Sequence, residues 1–490
     1  MKYSNSLLLP VLAIVVSPFI GVKASLAKQA PAIKPNIIVI IADDLGYGDI
    51  EPYGQKYIKT PHLNKMAEQG IRFTQHYSGS TVCGPSRASL LTGLHTGNSP
   101  IRANPKWSKS GKPVNLPKNG DTIASMLKGN GYKTALIGKW GLSENKQVNL
   151  SNMPLAQGFD YFFGYRTHGS AHHYYWPTMY KNNEEYELEG NDFRKNQGQY
   201  THDVFTKQAL NYITEQDNKK PFFMQIAYTI PHLALTVPED AKEQYKDLGW
   251  PKRMLNTEGH YRNDAEGNVT YAAMVSRMDR DIGKIISTLK QQGLDKNTLI
   301  LFTSDNGHEY DRGFFNSSGS LKGHKRDLYE GGIRVPLIAY WPNKITTKRT
   351  SDHKAAFWDY MPTFCQLAGS SDCPVTDGVS FAPTLLGDKN QAEHDYLYWE
   401  FNEGKRGPMQ AVIKDDWKLI KFHNKSDQLY NLANDINEEN DLAKKHPEVT
   451  QQLLKIIKNA RSDNPEYPLE VLPNASKKNK NKNKKNRNKV

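Results

Sequence analysis

The sequence predicts an α/β fold with a central, mostly parallel sheet and helices on both faces, followed by a small C-terminal α+β subdomain with an antiparallel sheet. Three observations predict it. Continuous apolar runs of strand length recur between residues 34 and 385, as in strands buried on both faces. Helical patterns alternate with them, the order expected of strand-helix-strand units. After about residue 385 the texture changes to short alternating runs and one late helix. A chain of 490 residues accommodates one large domain and a smaller one.

The first segment, MKYSNSLLLPVLAIVVSPFIGVKASLA, combines Lys2, an apolar run from Leu7 to Val22 and the small-residue site Ser25-Leu26-Ala27. It reads as a secretory signal peptide over 1–27, cut after Ala27 or Ala24, with a periplasmic or secreted destination. An uncleaved anchor is the alternative, because the run approaches the ~17–25 residues of a spanning helix; Pro10, Pro18 and Gly21 oppose it. No later segment is apolar enough to span. The expected parallel strands are NIIVIIAD (36–43), KTALIGKW (133–140), PFFMQIAYT (221–229), TLILFTSDNG (298–307) and PLIAYWP (336–342). The expected helices are HLNKMAEQG, DTIASMLKGNG with Asp121 as its cap, HDVFTKQALNYITEQ and YAAMVSRMDRDIGKIISTLKQQG. DYLYWEF, MQAVIKDDWKLIKF and QLYNL then supply the antiparallel strands, and PEVTQQLLKIIKNA the last helix. The catalytic domain is thus expected over 34–385, the subdomain over 386–470 and a basic, disordered tail over 474–490.

The formal charge of +13 suggests a polyanion binder until it is located. Eight of the charges fall in Lys477–Val490, and Lys2 and Lys23 lie in the signal segment, which leaves +3 for residues 28–476. The folded body is near neutral, so no nucleic-acid partner is expected. The Lys/Asn tail cannot bury a core and reads first as a solvated, disordered end, with a tether to anionic polysaccharide or cell-surface phosphate as the alternative. Of the three cysteines, Cys365 and Cys373 are close enough in sequence to bridge in an oxidising compartment, which leaves Cys83 as the odd one.

Two buried strands end in oxygen-bearing side chains, Asp43-Asp44 and Asp305-Asn306. Ligands of an open α/β sheet sit beyond the carboxyl ends of its strands, and such oxygens suit Ca²⁺ or Mg²⁺. A helix cap after each strand would be the better reading for a lone Asp, but two such pairs on two buried strands weigh against it. Cys83 precedes Pro85 at the start of a helical pattern; a helix N-terminus there predicts a lowered thiol pKa.

Cys83-Gly-Pro-Ser-Arg-Ala-Ser-Leu-Leu-Thr-Gly93 resembles the C-x-P-S-R-x-x-x-L-T-G signature of the type I, formylglycine-dependent sulfatases of the alkaline phosphatase superfamily. PNIIVIIADDLGYGD (35–49), TPHLNKMAEQGIRFTQHYS (60–78), GYKTALIGKW (131–140), SDNG (304–307) and YEGGIRVP (329–336) resemble that family in its order. GSTVCGPSR, GKWGL and KRDLYEGGIRVP look like bacterial sulfatases acting on algal polysaccharides such as carrageenan.

The resemblance implies hydrolysis of sulfate monoesters. It implies one Ca²⁺ held by Asp43, Asp44, Asp305 and Asn306, facing a formylglycine made from Cys83 by a dedicated maturation enzyme. Arg87 would hold the hydrated aldehyde, Lys139 and Lys325 the sulfate, and His232 would protonate the leaving oxygen; Lys322 is a rival to Lys325 with the wrong spacing to Glu330. Where many relatives read G-K-W-H, this chain has Gly141. His168, His172, His173, His308 and His324 are the candidate replacements for the missing histidine, the first four also as substrate-binding residues. Arg102 in IRAN is a candidate for a second anionic group, and Tyr174, Tyr175 and Trp176 form either a sugar platform or core. A phosphate or phosphonate ester hydrolase of the same superfamily is the alternative activity, and a non-catalytic polyanion-binding protein the alternative of another class.

Overall fold

The computed structural model describes residues 1–2, 34–117, 120–143, 152–254, 261, 264–311, 313–403 and 407–470. The expected signal peptide beyond its first two residues, and the basic tail, lie outside them. The strands are β1 (Asn36–Ala42), β2 (Ile71–Phe73), β3 (His76–Tyr77), β4 (Lys133–Ser143), β5 (Tyr161–Thr167), β6 (Thr178–Lys181), β7 (Glu184–Glu187), β8 (Phe222–Ala227), β9 (Thr298–Ser304), β10 (Leu337–Tyr340), β11 (Arg349–Ser351) and β12 (Ala355–Ala356). After them come β13 (Leu397–Phe401), β14 (Met409–Lys414), β15 (Trp417–Phe422) and β16 (Gln428–Asn431). The helices are α1 (Pro61–Glu68), α2 (Cys83–Thr92), α3 (Ile123–Gly129), α4 (His168–Ala171), α5 (Thr201–Thr214), α6 (Gly267–Gln291), α7 (Glu330–Ile333), α8 (Tyr360–Leu367), α9 (Ala382–Leu386) and α10 (Pro447–Asn459).

Ten strands form the main sheet in the order β11-β2-β10-β9-β1-β8-β4-β5-β6-β7. The five central strands, β9 to β5, are mutually parallel. Successive residues of β1 serve opposite faces: Ile37, Val39 and Ile41 join a core closed by α2, α3 and α8, while Ile38 and Ile40 join one closed by α1, α5 and α6. Burial on both faces is why these strands read as unbroken apolar runs, each isoleucine contributing about 1.5–3 kcal/mol. The expected PLIAYWP strand is present as β10 but runs antiparallel to β9. The cap of α3 is Thr122, not Asp121: its side chain accepts from Ser125 N, and Ser125 Oγ accepts from Thr122 N. Cys365 and Cys373 form a disulfide across a Cα separation of 5.9 Å.

The C-terminal sheet, β13-β14-β15-β16, is antiparallel throughout. Leu453 and Ile457 of α10 cover one face, against Tyr398, Val412, Leu419 and Leu429. The other face, with Trp399, Ala411 and Ile420, packs on Tyr77, Val82, Leu328, Ile333 and Trp358. Lys418 lies two residues before Ile420 on that inner face. Fully buried, its ammonium bridges Glu330 (2.8 Å) and Glu438 (2.9 Å), and Glu438 also accepts from Glu330 N (2.7 Å). The appendage therefore grips the start of α7, five residues beyond Lys325.

Candidate active site

The site forms where β1, β4, β8 and β9 reach their carboxyl ends, as an open parallel sheet dictates. β1 delivers Asp43 and Asp44, and β9 delivers Asp305 and Asn306, all of them buried. Asp44 N donates to Asp305 Oδ1 (3.2 Å), and Asn306 Nδ2 to Asp44 Oδ1 (2.7 Å), so the two pairs are stitched together. The register of β4 against β5 shifts between Lys139 and Ser143, with Gly141 at φ 74°. That bulge aims the buried Lys139 Nζ at Asp43 Oδ2, 2.6 Å away.

Cys83 opens α2 and points its Sγ at Asp43 Oδ1 (3.3 Å). One turn on, Arg87 places Nε and Nη2 on Asp305 Oδ2 (3.0 and 2.8 Å) and Nη1 on Lys139 O (3.0 Å). Lys325 Nζ reaches Asp44 (2.7 Å), Glu309 (2.9 Å) and His232 Nε2 (3.2 Å). His232 Nδ1 lies against Leu233 O. Acidic, cysteine and imidazole ligand atoms of Asp43, Asp44, Cys83 and His232 all lie within 4.8 Å of one another.

Electrostatics follow from this crowding. Burial opposes the charge of Asp43, but Lys139, His232, Arg87 and Lys325 overcome it and hold that carboxyl well below the usual range. Asp44 and Asp305 are pushed up to about 6, chiefly by burial and also by neighbouring carboxylates. Burial and then Lys325 bring His232 down to about 3. The Cys83 thiol is raised far above its ordinary value by burial and by Asp43. This corrects the lowered pKa expected from its helix N-terminus: desolvation and an adjacent carboxylate outweigh a helix dipole.

A divalent cation fits the donor set. Three buried carboxylates converge, and Asn306 Oδ1 is a buried acceptor with no partner among the described residues, a combination of hard oxygens suited to calcium.

The other expected residues divide. His168 sits on α4 beside α2, and His172 stacks on His232 with ring centroids 4.2 Å apart. His173 packs on Trp176 (5.4 Å) and Phe193 (4.7 Å), a half-buried aromatic patch. His308 Nε2 meets Ser318 Oγ at 2.9 Å. Tyr174 and Tyr175 are core residues; the Tyr174 hydroxyl donates to Thr229 O and His232 O. Arg102 is corrected: it is buried, with its guanidinium bonded to Ser99 O, Glu400, Ser462 O and Ser462 Oγ. It fastens the C-terminal subdomain and is not offered to a ligand. The residue of IRAN that reaches the start of α2 is Asn104, whose Oδ1 accepts from Gly84 N (3.1 Å) while Glu403 accepts from its backbone N–H. Glu309 was also missed; its place four residues after Asp305, beside His308, was the available signal.

Lys322 lies elsewhere, donating to Glu438 O (2.7 Å) over the Tyr329 ring. Lys325→Ala is therefore expected to lower kcat/KM about 10²–10³-fold, some 3–4 kcal/mol of lost transition-state stabilisation. Lys322→Ala should leave turnover near the parent's. Steady-state kinetics on an aryl sulfate checks this, and equal losses would mean that the wrong lysine has been chosen.

Buried cationic side chains set around clustered carboxylates, at the carboxyl ends of a parallel sheet, are an arrangement that can hold an anionic group. Comparison gives the family. The sulfatase family model matches residues 35–370, and the model described as N-sulphoglucosamine sulphohydrolase, C-terminal, matches 323–463. The chain belongs to the sulfatase family and is a sulfuric ester hydrolase. It is 28% identical to steryl-sulfatase of Mus musculus over 86% of this chain and 76% of that protein. It is 27% identical to N-acetylgalactosamine-6-O-sulfatase of Bacteroides thetaiotaomicron over 88% of this chain and 93% of that one. Among solved structures, Ps i-CgsB in complex with k-i-k-neocarrahexaose matches with a TM-score of 0.73 and 27% identity, over 91% of this chain and 96% of that one.

Proposed function

We propose that this sulfatase is an exported, calcium-dependent enzyme that removes sulfate from a sulfated polysaccharide, with carrageenan galactose 4-sulfate as the first substrate to test. Calcium held by Asp43, Asp44, Asp305 and Asn306 supplies positive charge at the sulfate, and a formylglycine hydrate at position 83 supplies the attacking oxygen. One observation carries the reading: the unpartnered Asn306 Oδ1 and three buried carboxylates lie beside Cys83 and two buried lysines.

Lys139 and Lys325 exchange their carboxylate contacts for sulfate oxygens and stabilise the charge that grows there. Arg87, fixed by Asp305 and Lys139 O, orients the group at position 83. A sugar alkoxide leaves poorly, so His232 donates a proton to it, an effect typically of ~10²–10⁴-fold. Leu233 O can only accept, so His232 Nδ1 carries a hydrogen, and Nε2 bears one only in the imidazolium form. An arriving sulfate anion favours that form. The half-buried patch of His173, Trp176 and Phe193 offers ring faces for sugars next to the cleft.

The polysaccharide reading is supported by the similarity to Ps i-CgsB, whose structure holds a neocarrahexaose. Its test is sulfate release by enzyme co-expressed with a formylglycine-generating maturation enzyme, offered defined 4-sulfated galactans, ulvan and glycosaminoglycan oligosaccharides. Release from the galactans is expected; release only from another glycan overturns the carrageenan choice. Mass spectrometry of the Cys83 peptide from the same sample should show sulfur lost, and unmodified cysteine throughout would sink the formylglycine assignment.

A further inference from the structure

The half-buried His168, whose Nε2 atom is itself shut off from solvent, is unexplained by the roles given so far. It stands at the first position of α4, the single turn that follows β5, and its Nε2 has no hydrogen-bond partner among the described residues. Buried polar atoms without partners are rare and mark missing ligands or function. Two glycines fix where this ring lies. A Cβ added to Gly84 would sit 3.5 Å from His168 Nε2. A Cβ added to Gly141 would sit 3.5 Å from His168 Cε1, 3.4 Å from Lys139 Cε and 3.5 Å from Arg87 Cδ. The ring thus lies between the residue next to Cys83 and the bulge that carries Lys139, with its orphan nitrogen on the Gly84 side. Gly141, at φ 74°, keeps the facing wall free of any side chain. The other histidines near the cleft make different contacts: His172 stacks on His232, His173 packs on Trp176, and His308 meets Ser318.

We propose that His168 is a catalytic residue, whose Nε2 takes the proton from the group at position 83 in the step that releases sulfate. The assignment rests on the formylglycine reading above. In that step Nε2 accepts the proton of the free hydroxyl on the sulfated hydrate carbon. The electron pair of the O–H bond becomes the second bond of C=O, the C–O bond to sulfate breaks, and sulfate departs with its electron pair as the dianion. The aldehyde re-forms, water adds to restore the hydrate, and the imidazolium gives its proton to solvent.

The test compares matured parent enzyme with His168→Ala and His168→Gln on a chromogenic aryl sulfate. Pre-steady-state kinetics, melting temperature and the mass of the peptide around position 83 after acid quench are read together. Loss of general base catalysis should lower kcat about 10²–10⁴-fold. The first burst of aryl alcohol should persist, and the quenched peptide should retain one sulfate, which the parent should not. Glutamine fills the ring's volume and is the variant to read if alanine melts early. Turnover within about threefold of the parent overturns the assignment. So does a loss of turnover without burst or retained sulfate, with or without lower melting temperature, because that marks a structural role. A parent whose position 83 is still cysteine instead refutes the formylglycine reading, and this assignment with it.

Discussion

Exhaustive chelation is expected to abolish sulfate-ester turnover, and added Ca²⁺ to restore it. The expectation comes from Asp43, Asp44 and Asp305, three carboxylates buried together around the end of β1. Without a cation they are neutralised by what is at hand: Lys139 closes on Asp43 at 2.6 Å and Lys325 on Asp44 at 2.7 Å. Burial pushes the Asp44 and Asp305 carboxyls up to about 6, which disfavours their charged forms. In that state both lysines are committed to the protein and neither is fully available to a sulfate oxygen. An ion that binds only the folded chain adds about 4 kcal/mol of stability at a thousandfold excess over its Kd. Chelator should therefore lower the melting temperature in parallel with activity. Full activity in metal-free protein would remove the cation from the assignment.

Lys418→Ala is the second large effect, this time on stability. Its ammonium is buried between Glu330 and Glu438, at 2.8 and 2.9 Å. Removing one member of a buried charge network leaves the others uncompensated, at a typical cost of ~3–5 kcal/mol. Tyr77 and Arg334 still serve Glu330, but Glu438, already pushed up to about 7 by burial and the neighbouring Glu330, loses its cation. Urea unfolding should show the loss, and kcat should fall in the folded fraction, because Glu330 opens α7 just beyond the Lys325 loop. A replacement that unfolds at the parent's urea midpoint would contradict this account.

Much of the fold is written in the sequence where burial is two-sided. NIIVIIAD and TLILFTSDNG are apolar at every position because both faces of β1 and β9 are covered. The same property hides direction: a short strand such as LIAY looks alike whether it pairs parallel or antiparallel, and β10 is antiparallel. At the site, residues at strand ends and inside the C-x-P-S-R stretch were legible because local order brings them to the cleft. Arg102 was not, since its true partners, Glu400 and Ser462, stand 298 and 360 residues away in sequence. Nor was the thiol pKa of Cys83, whose decisive neighbour is Asp43, contributed by another strand. Charge near a motif is readable; what neutralises that charge is a property of the folded chain.

All ten residues of α2 are buried, and the Cys83 side chain is sealed against Asp43. On the proposed formylglycine reading, no second enzyme would reach that sulfur once the sheet has closed, so oxidation of Cys83 would be an event with a deadline. The strand that delivers Asp305 ends more than 200 residues after Cys83, and at about 5–20 residues per second the ribosome needs roughly ten seconds or more to supply it. On that reading maturation and folding would be competitors for the same stretch of nascent chain. A copy that folded first would be trapped with its cysteine, complete in shape but without the proposed nucleophile.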